Sequence, residues 1–314
     1  MDNKTVSTAS KYPEKPITLI VPFGAGSGMD LVARLLEKSI STQLGQPLMI
    51  VNKPGGGGTI GLNELINTPS DGYTLGMTGV EVIMQPMYGT TKYHYPTALE
   101  PLVQLSTFPI VMAVKANQPW QSVEDVIRYA RQHPGEIKFS HSGLGSISHL
   151  AGETFGKSSG ITLDQVPFQS APEALASLLG EHVQILFANP ASVKEHVKNG
   201  TVRALAIAGD QRVSDPLFAN IPTFKESGIQ VVGSSWYGVA APKELPVEVK
   251  NKLAAAFKKT AEDPEFQKNI ANLGLQFSYL GPKECTDKWI EESQKLSAAV
   301  QETGILEKIQ AQKK

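Results

Sequence analysis

The stretches "FGAGSGMD", Phe23 to Asp30, and "SHSGLGSISH", Ser140 to His149, hold the residues whose types and spacing point to chemistry. Each follows a short apolar run and precedes a helix-period pattern, so each places a helix start at the end of a strand. A helix start carries backbone N–H groups without intrahelical partners and a partial positive charge. Glycine opens the way to them because it has no side chain. Such a turn suits a carboxylate as well as a phosphate. Two of them, facing each other, would clamp the two ends of a small anion, with Ser142, Ser146 and Ser148 as hydroxyl donors. Taken alone, either turn also reads as a tight α/β connection without a ligand.

Nucleotide chemistry does not fit the details. The first turn, Gly24, Gly26 and Gly28, reads G-x-G-x-G instead of G-x-G-x-x-G, and Asn52 stands where a dinucleotide fold carries its ribose-binding acid. Gly28 is followed by Met29 and Asp30, so the lysine and hydroxyl of a phosphate loop are missing. Asp30 is also a candidate cap for the first helical turn, which leaves the backbone available. His141 and His149 lack metal-ligand spacing, and "HLAGE" is not H-E-x-x-H. Neither serine turn contains G-x-S-x-G, and nothing in the spacing of Glu153, Asp164 or His182 brings them to a serine. Phe23 and Trp236-Tyr237 are candidates for apolar cleft walls or for core. Arg203 and Arg212 could complement an acidic ligand or lie on the surface.

The elements that must position these turns alternate. Ile17 to Phe23 reads as a buried strand, with Leu31, Leu35, Leu36 and Leu44 on one face of the next helix. A strand over 48–51, a glycine turn over 55–58 and a helix over 59–67 repeat the order, and "DGYTLGMTGV" adds a turn and a strand. A second set follows "FPIVMAVKA", in which Pro109 interrupts a strand-like run. It includes a helix capped at Ser122 with Asp125 three residues on, and a strand over 183–187. Strands alternating with helices argue for a mostly parallel α/β sheet covered on both faces. The helix-rich tail has too few strands for a lobe of its own and is expected to pack on the first. The expected division is a first lobe of residues 1–112 and 240–314, a second of 113–239, and hinge crossings near 110–115 and 236–241. The cleft lies between the lobes.

Composition narrows the function. Over 314 residues, 29 basic and 30 acidic side chains nearly cancel, so no global field recruits nucleic acid. The length fits two lobes. One cysteine, Cys285, forms neither an intrachain disulfide nor a thiolate metal site. No run approaches the roughly 18 apolar residues of a membrane span, and Met1 to Lys15 lacks the apolar core of a signal peptide.

The order of motifs resembles the tripartite tricarboxylate transporter substrate-binding receptors, the Bug family of bacterial periplasmic solute receptors. The likeness runs through "YPEKPITLIVPFGAGSGMDLVARLL", "GQPLMIVNKPGGGGTIG", "PSDGYTLGM", "SGLGSISHLAGETF", "VPFQSAPEALASLLGEHVQILF", "VKNGTVRALAIAGDQR", "LFANIPTFKESG" and "WYGVAAP", covering nearly all of the chain after Lys11. The resemblance implies a two-lobed, type II-like Venus flytrap, removal of an export signal, and a periplasmic location. It implies a monomer that delivers a small organic acid, a di- or tricarboxylate or an aromatic acid, to membrane transporter subunits or a sensor. No catalysis, cofactor, metal, nucleic acid or stable membrane insertion is implied. A hydrolase or lyase of small acids, and a sensor or scaffold, are the alternatives. By the same resemblance the ligand meets Phe23, Gly24, Ala25, Gly26, Ser27, Gly28, Met29 and Asp30. It further meets Thr78, Gly79, Val80 and Glu81, which close the first-lobe side. The second-lobe contacts are Ser142, Gly143, Gly145, Ser146, His149, Gln169, Ser170 and Asn189. Two departures stand out: Met29 replaces a small or hydroxyl residue, and Phe168-Gln169-Ser170 replaces the family's Tyr-Arg-Gly step.

Overall fold

The computed structural model describes residues 11–89 and 91–311. Its first unit alternates β1 (Ile17–Val21), α1 (Gly28–Leu44), β2 (Leu48–Asn52), α2 (Thr59–Ile66) and β3 (Thr74–Thr78). Strand β1 lies parallel between β2 and β3. A central parallel strand is covered on both faces, which is why its residues are apolar in sequence without alternation. The buried face of α1 is Val32, Ala33, Leu36, Ile40 and Leu44. The expected face is thus rotated by about one position, leaving Leu31 and Leu35 only partly covered. Gly45 ends the helix in the left-handed region at φ 70° and returns its N–H to Ser41 O at 2.9 Å.

After α3 (Glu81–Met87) and α4 (Tyr95–Ala98) comes β4 (Leu99–Lys115), a strand of 17 residues. Its first part pairs antiparallel with β9 (Ser234–Pro242) and β10 (Gln276–Leu280). From Ile110 onward it pairs instead with β7 (Ile185–Ala188) and β8 (Val202–Ala208). Pro109, expected to interrupt the run, does not. It sits opposite Ser234 where the partner changes, and Ile110 N–H donates to Gly233 O at 2.5 Å. A residue without an N–H is tolerated where one ladder hands over to another.

The second unit holds β5 (Lys138–His141) parallel between β6 (Asp164–Pro167) and β7. Around it stand α5 (Val123–Gln132), α6 (Ile147–Ser159), α7 (Ala171–Leu179) and α8 (Pro190–Lys198). Ser122 and Asp125 form the capping box of α5. The strand expected over 183–187 runs two residues later at its start.

Two features of the division differ from the sequence expectation. From Ser234 onward β9 bonds to β3 and to the first part of β4, so its chain enters the first lobe at 233–234, ahead of the expected 236–241. The apolar pattern of "SSWYGVAAP" marks a buried strand but not which strands flank it. The tail also touches both lobes. Helices α9 (Val247–Ala261) and α10 (Pro264–Asn272) pack on α1, whereas α11 (Pro282–Thr303) reaches α3 and α6. Lys308 of α12 (Ile305–Ala311) pairs with Glu153 of α6.

Where β9 crosses β4, a Cβ on Gly238 would lie 2.4 Å from Val103 O, beside a register shift in the ladder. Gly238→Ala therefore forces the two central strands apart. The expected cost is about 1–3 kcal/mol, read as a lower urea midpoint with an unchanged slope.

Candidate functional site

The two glycine turns are built alike. Ser27 is the N-cap of α1 in extended geometry, φ −67° and ψ 158°, and its Oγ accepts Asp30 N–H at 3.3 Å. Ser146 caps α6 at φ −71° and ψ 163°, and its Oγ accepts His149 N–H at 3.3 Å. Each serine satisfies one of its helix's orphan donors and leaves others for a guest.

Asp30 braces the first turn from beneath. Its carboxylate accepts Gly26 N–H at 2.8 Å, Asn52 Nδ2 at 2.9 Å, and two bonds from Arg34 at 2.9 and 3.2 Å. Burial pushes the carboxyl up, but the hydrogen bonds from Arg34, Gly26 and Asn52 outweigh it and hold Asp30 below its ordinary range. Gly26 N–H is taken up internally. Asn52 also donates to Phe23 O at 3.0 Å, tying β2 to the turn.

The second turn is braced by histidine. His149 Nδ1 accepts Gly145 N–H at 3.1 Å, its ring stacks on His141 at 4.3 Å, and Nε2 lies 3.4 Å from Glu153. Burial lowers both histidines, and His149 lowers His141 further, so the pair is neutral. Ser148 Oγ lies 3.0 Å from Ser142 Oγ and 2.9 Å from Ser146 Oγ. These hydroxyls bond one another and not an imidazole, so the activated pair a serine nucleophile needs is not assembled there. Among the described residues no group of three His, Cys, Asp or Glu side chains is placed to hold a metal ion.

Between the turns lies a cleft lined by Phe23, Ser27, Met29, Glu81, Phe108, Ile110, Ser142, Ile147, Ser148, Ala171, Ala188, Asn189 and Tyr237. Its free volume is about 30 Å³, room for one or two waters. The jaws touch: a Cβ on Gly24 would lie 2.8 Å from Ser170 Cβ, and one on Gly28 would lie 2.6 Å from Asn189 Oδ1 and 2.9 Å from the Tyr237 hydroxyl. Gln85 of α3 donates to Gly57 O at 3.1 Å in its own lobe and to Leu144 O at 3.2 Å across the gap.

Of the residues named from sequence, Phe23, Ser27, Met29, Glu81, Ser142 and Asn189 line this cleft. Gly24, Gly28 and Ser170 form its closing contacts, and Gly143 packs against Gly57. Ala25, Gly26 and Gln169 are exposed at the rim. Asp30, Gly145, Ser146 and His149 lie beneath the turns as supports. Gly79 packs on the Glu81 carboxyl, Thr78 is buried, and Val80 lines a separate groove with Phe224 and Leu296. Sequence reasoning missed Phe108 and Ile110, which reach the cleft from the changeover in β4. Of the aromatic pair, Tyr237 faces the cleft while Trp236 donates Nε1 to Glu292 at 2.7 Å.

Glu81 is the cleft's anomaly. Fully buried, its carboxyl is pushed up to about 7 by desolvation, opposed by the backbone N–H groups of Glu81 itself and of Ile147.

A model of the tripartite tricarboxylate transporter family receptor matches residues 32–305, from within α1 to the start of α12. The chain belongs to this family. It is 30% identical over 95% of its length to "UPF0065 protein in gbd 5'region" of Cupriavidus necator, covering 90% of that protein. Among solved structures it resembles the periplasmic binding protein BugD, with a TM-score of 0.89, 27% identity, and coverage of 94% of this chain and 99% of that one. The same figures hold for Rpa4515 of R. palustris, solved with adipate. The receptor is thus a periplasmic solute-binding protein of two-domain α/β fold.

Because its folded pKa is raised, Glu81 favours the folded state fully below about 4.5, and that advantage is lost as pH rises through about 7. The shift is worth on the order of 3 kcal/mol. Glu81→Gln should flatten this loss: Tm falls less between pH 4.5 and 8 than in the parent. An equal fall in both proteins would show that Glu81 does not titrate there.

Proposed function

We propose that this receptor closes around a small organic carboxylate and presents it to the membrane components of a tripartite tricarboxylate-type transporter. The observation that carries the reading is the first jaw: a serine-capped helix start whose Gly28 and Met29 N–H groups have no protein partner among the described residues and whose glycines keep the approach open. A carboxylate there takes charge-assisted hydrogen bonds of about 1.5–3 kcal/mol each. The family match supports the transporter partnership. Rpa4515 solved with adipate, and MatC of Rhodopseudomonas palustris with bound malate at 25% identity and a TM-score of 0.84, support the ligand class. Delivery without turnover fits hydroxyls engaged with one another. Calorimetry of unfolded, stripped and refolded protein against mono-, di- and aromatic carboxylates tests the reading. Stoichiometric micromolar binding by at least one is expected, and silence across the series from folded protein would refute it.

Closure is taken to swing about the two crossings, at Pro109-Ile110 and Gly233-Ser234, which are the covalent links where pairing changes. Gly57, at φ 64°, meets Leu144 O at 2.4 Å from where its Cβ would stand. Gly57→Val therefore wedges the jaws. Its expected signature is a ligand affinity weakened tenfold or more, with the radius of gyration in saturating ligand staying at the apo value in X-ray scattering. A variant that contracts and binds normally would contradict the closing motion.

A further inference from the structure

Glu81 belongs to the first lobe, as the opening residue of α3, yet it lines the same cleft as Ile147, the first residue of α6 in the second lobe, whose N–H works to lower the Glu81 carboxyl. That N–H is among the orphan donors a second ligand carboxylate would otherwise use. The protein's own carboxylate already stands at the second jaw. Among the described residues the cleft lining holds no Lys, Arg or His, and Glu81 is its one charged side chain. The titratable groups that face it are phenols: Tyr88 at the end of α3 and Tyr237 on β9, each held protonated by burial and by the nearby Glu81 charge. The other neighbours are neutral: Ser27 and Met29 from α1, Phe108 and Ile110 from β4, Asn189 at α8.

A second carboxylate brought here would stand beside a like charge with no cation to offset it, in a medium where charges interact strongly. An ammonium or amide N–H would complete the site instead. We infer that Glu81 sets specificity by occupying the second-lobe anion position itself, so that the receptor takes a monocarboxylate whose far end carries a hydrogen-bond donor, an ammonium above all. This rests on the carboxylate reading of the first jaw and names the class of acid that jaw receives. The elevated titration of Glu81 agrees with a carboxylate that lacks its cationic partner.

The test uses matched probes on the full chain, stripped of ligand: ω-amino acids of three to six carbons against dicarboxylates of the same lengths, for example 4-aminobutyrate against succinate. Calorimetry at pH 8 should give at least a tenfold preference for the amino acid at the best-fitting length. Glu81→Gln should shrink that ratio to about threefold or less, chiefly by weakening the amino acid. Repeating the wild-type titrations in two buffers of different ionisation heat supplies a readout that needs no variant: a dicarboxylate binds with uptake of a proton, the amino acid without. Equal or better binding of dicarboxylates with no proton uptake overturns the inference while leaving the carboxylate reading intact. Binding of alkylamines that lack a carboxylate as tightly as their amino acids would sink the carboxylate reading but keep the role of Glu81. Failure of every probe, amines included, overturns both.

Discussion

Two helix starts aimed at one small space constrain nearly everything else in this molecule. Their N–H groups cannot be satisfied by the helices they begin, and a buried donor without a partner is costly. Ser27 and Ser146 each satisfy one donor, and Asp30 another at Gly26. The donors left over define where a guest can be held. Asp30 is worth noting because a charged side chain so close to an anion site would repel the ligand if it were free. Bonded to Arg34, Gly26 and Asn52 and tucked under the turn, its charge is neutralised in place, and it rigidifies the backbone.

The second constraint is that both starts must face each other across one cleft. Strand β4 meets it by serving both sheets, so that the lobes share a rigid element instead of a tether. The changeover at Pro109 and Ile110 brings Phe108 and Ile110 to the cleft, so the strand that pairs in both lobes also lines the space between the turns. Glycine at 57 and 143 then lets backbone approach backbone across the gap, while glycine at 24 and 28 makes room for the side chains of Ser170 and Asn189.

The parts of this plan that repeat locally could be read from residues alone. Strand, glycine turn and helix recur at Ile17 to Leu44 and again at Lys138 to Ser159, and their apolar and capping patterns locate both turns to within a residue or two. What sequence could not show was pairing between distant strands. The role of Pro109 depends on Gly233 and Ser234 lying opposite it, the position of β9 on two neighbours it does not adjoin in the chain, and the reach of α11 and α12 to α6 on the closed arrangement of the lobes. His149, a ligand contact only by the family resemblance, is buried against His141. Side chains named from the family's loops divide in three dimensions into those facing the gap and those holding the loop that faces it, a distinction carried by rotamer and burial and not by spacing.

Glu81 shows how far a fold and a family determine function, and where they stop. The architecture sets two helix starts, one per lobe, against one cleft, and the fold alone does not decide what each holds. Here one helix start receives a carboxylate that the chain supplies itself. A fixed charge inside a closing, low-dielectric cleft does more than occupy volume: it must be neutralised by whatever enters or by a proton, and the two phenols beside it can donate hydrogen bonds but cannot neutralise it. With Met29, Phe108 and Ile110 forming apolar walls around it, water offers little relief once the jaws meet. Closure and charge balance are therefore coupled. A ligand that brings no compensating positive charge or proton leaves the jaws separated by the cost of burying that carboxylate alone, and a ligand that brings one lets the same burial strengthen its grip.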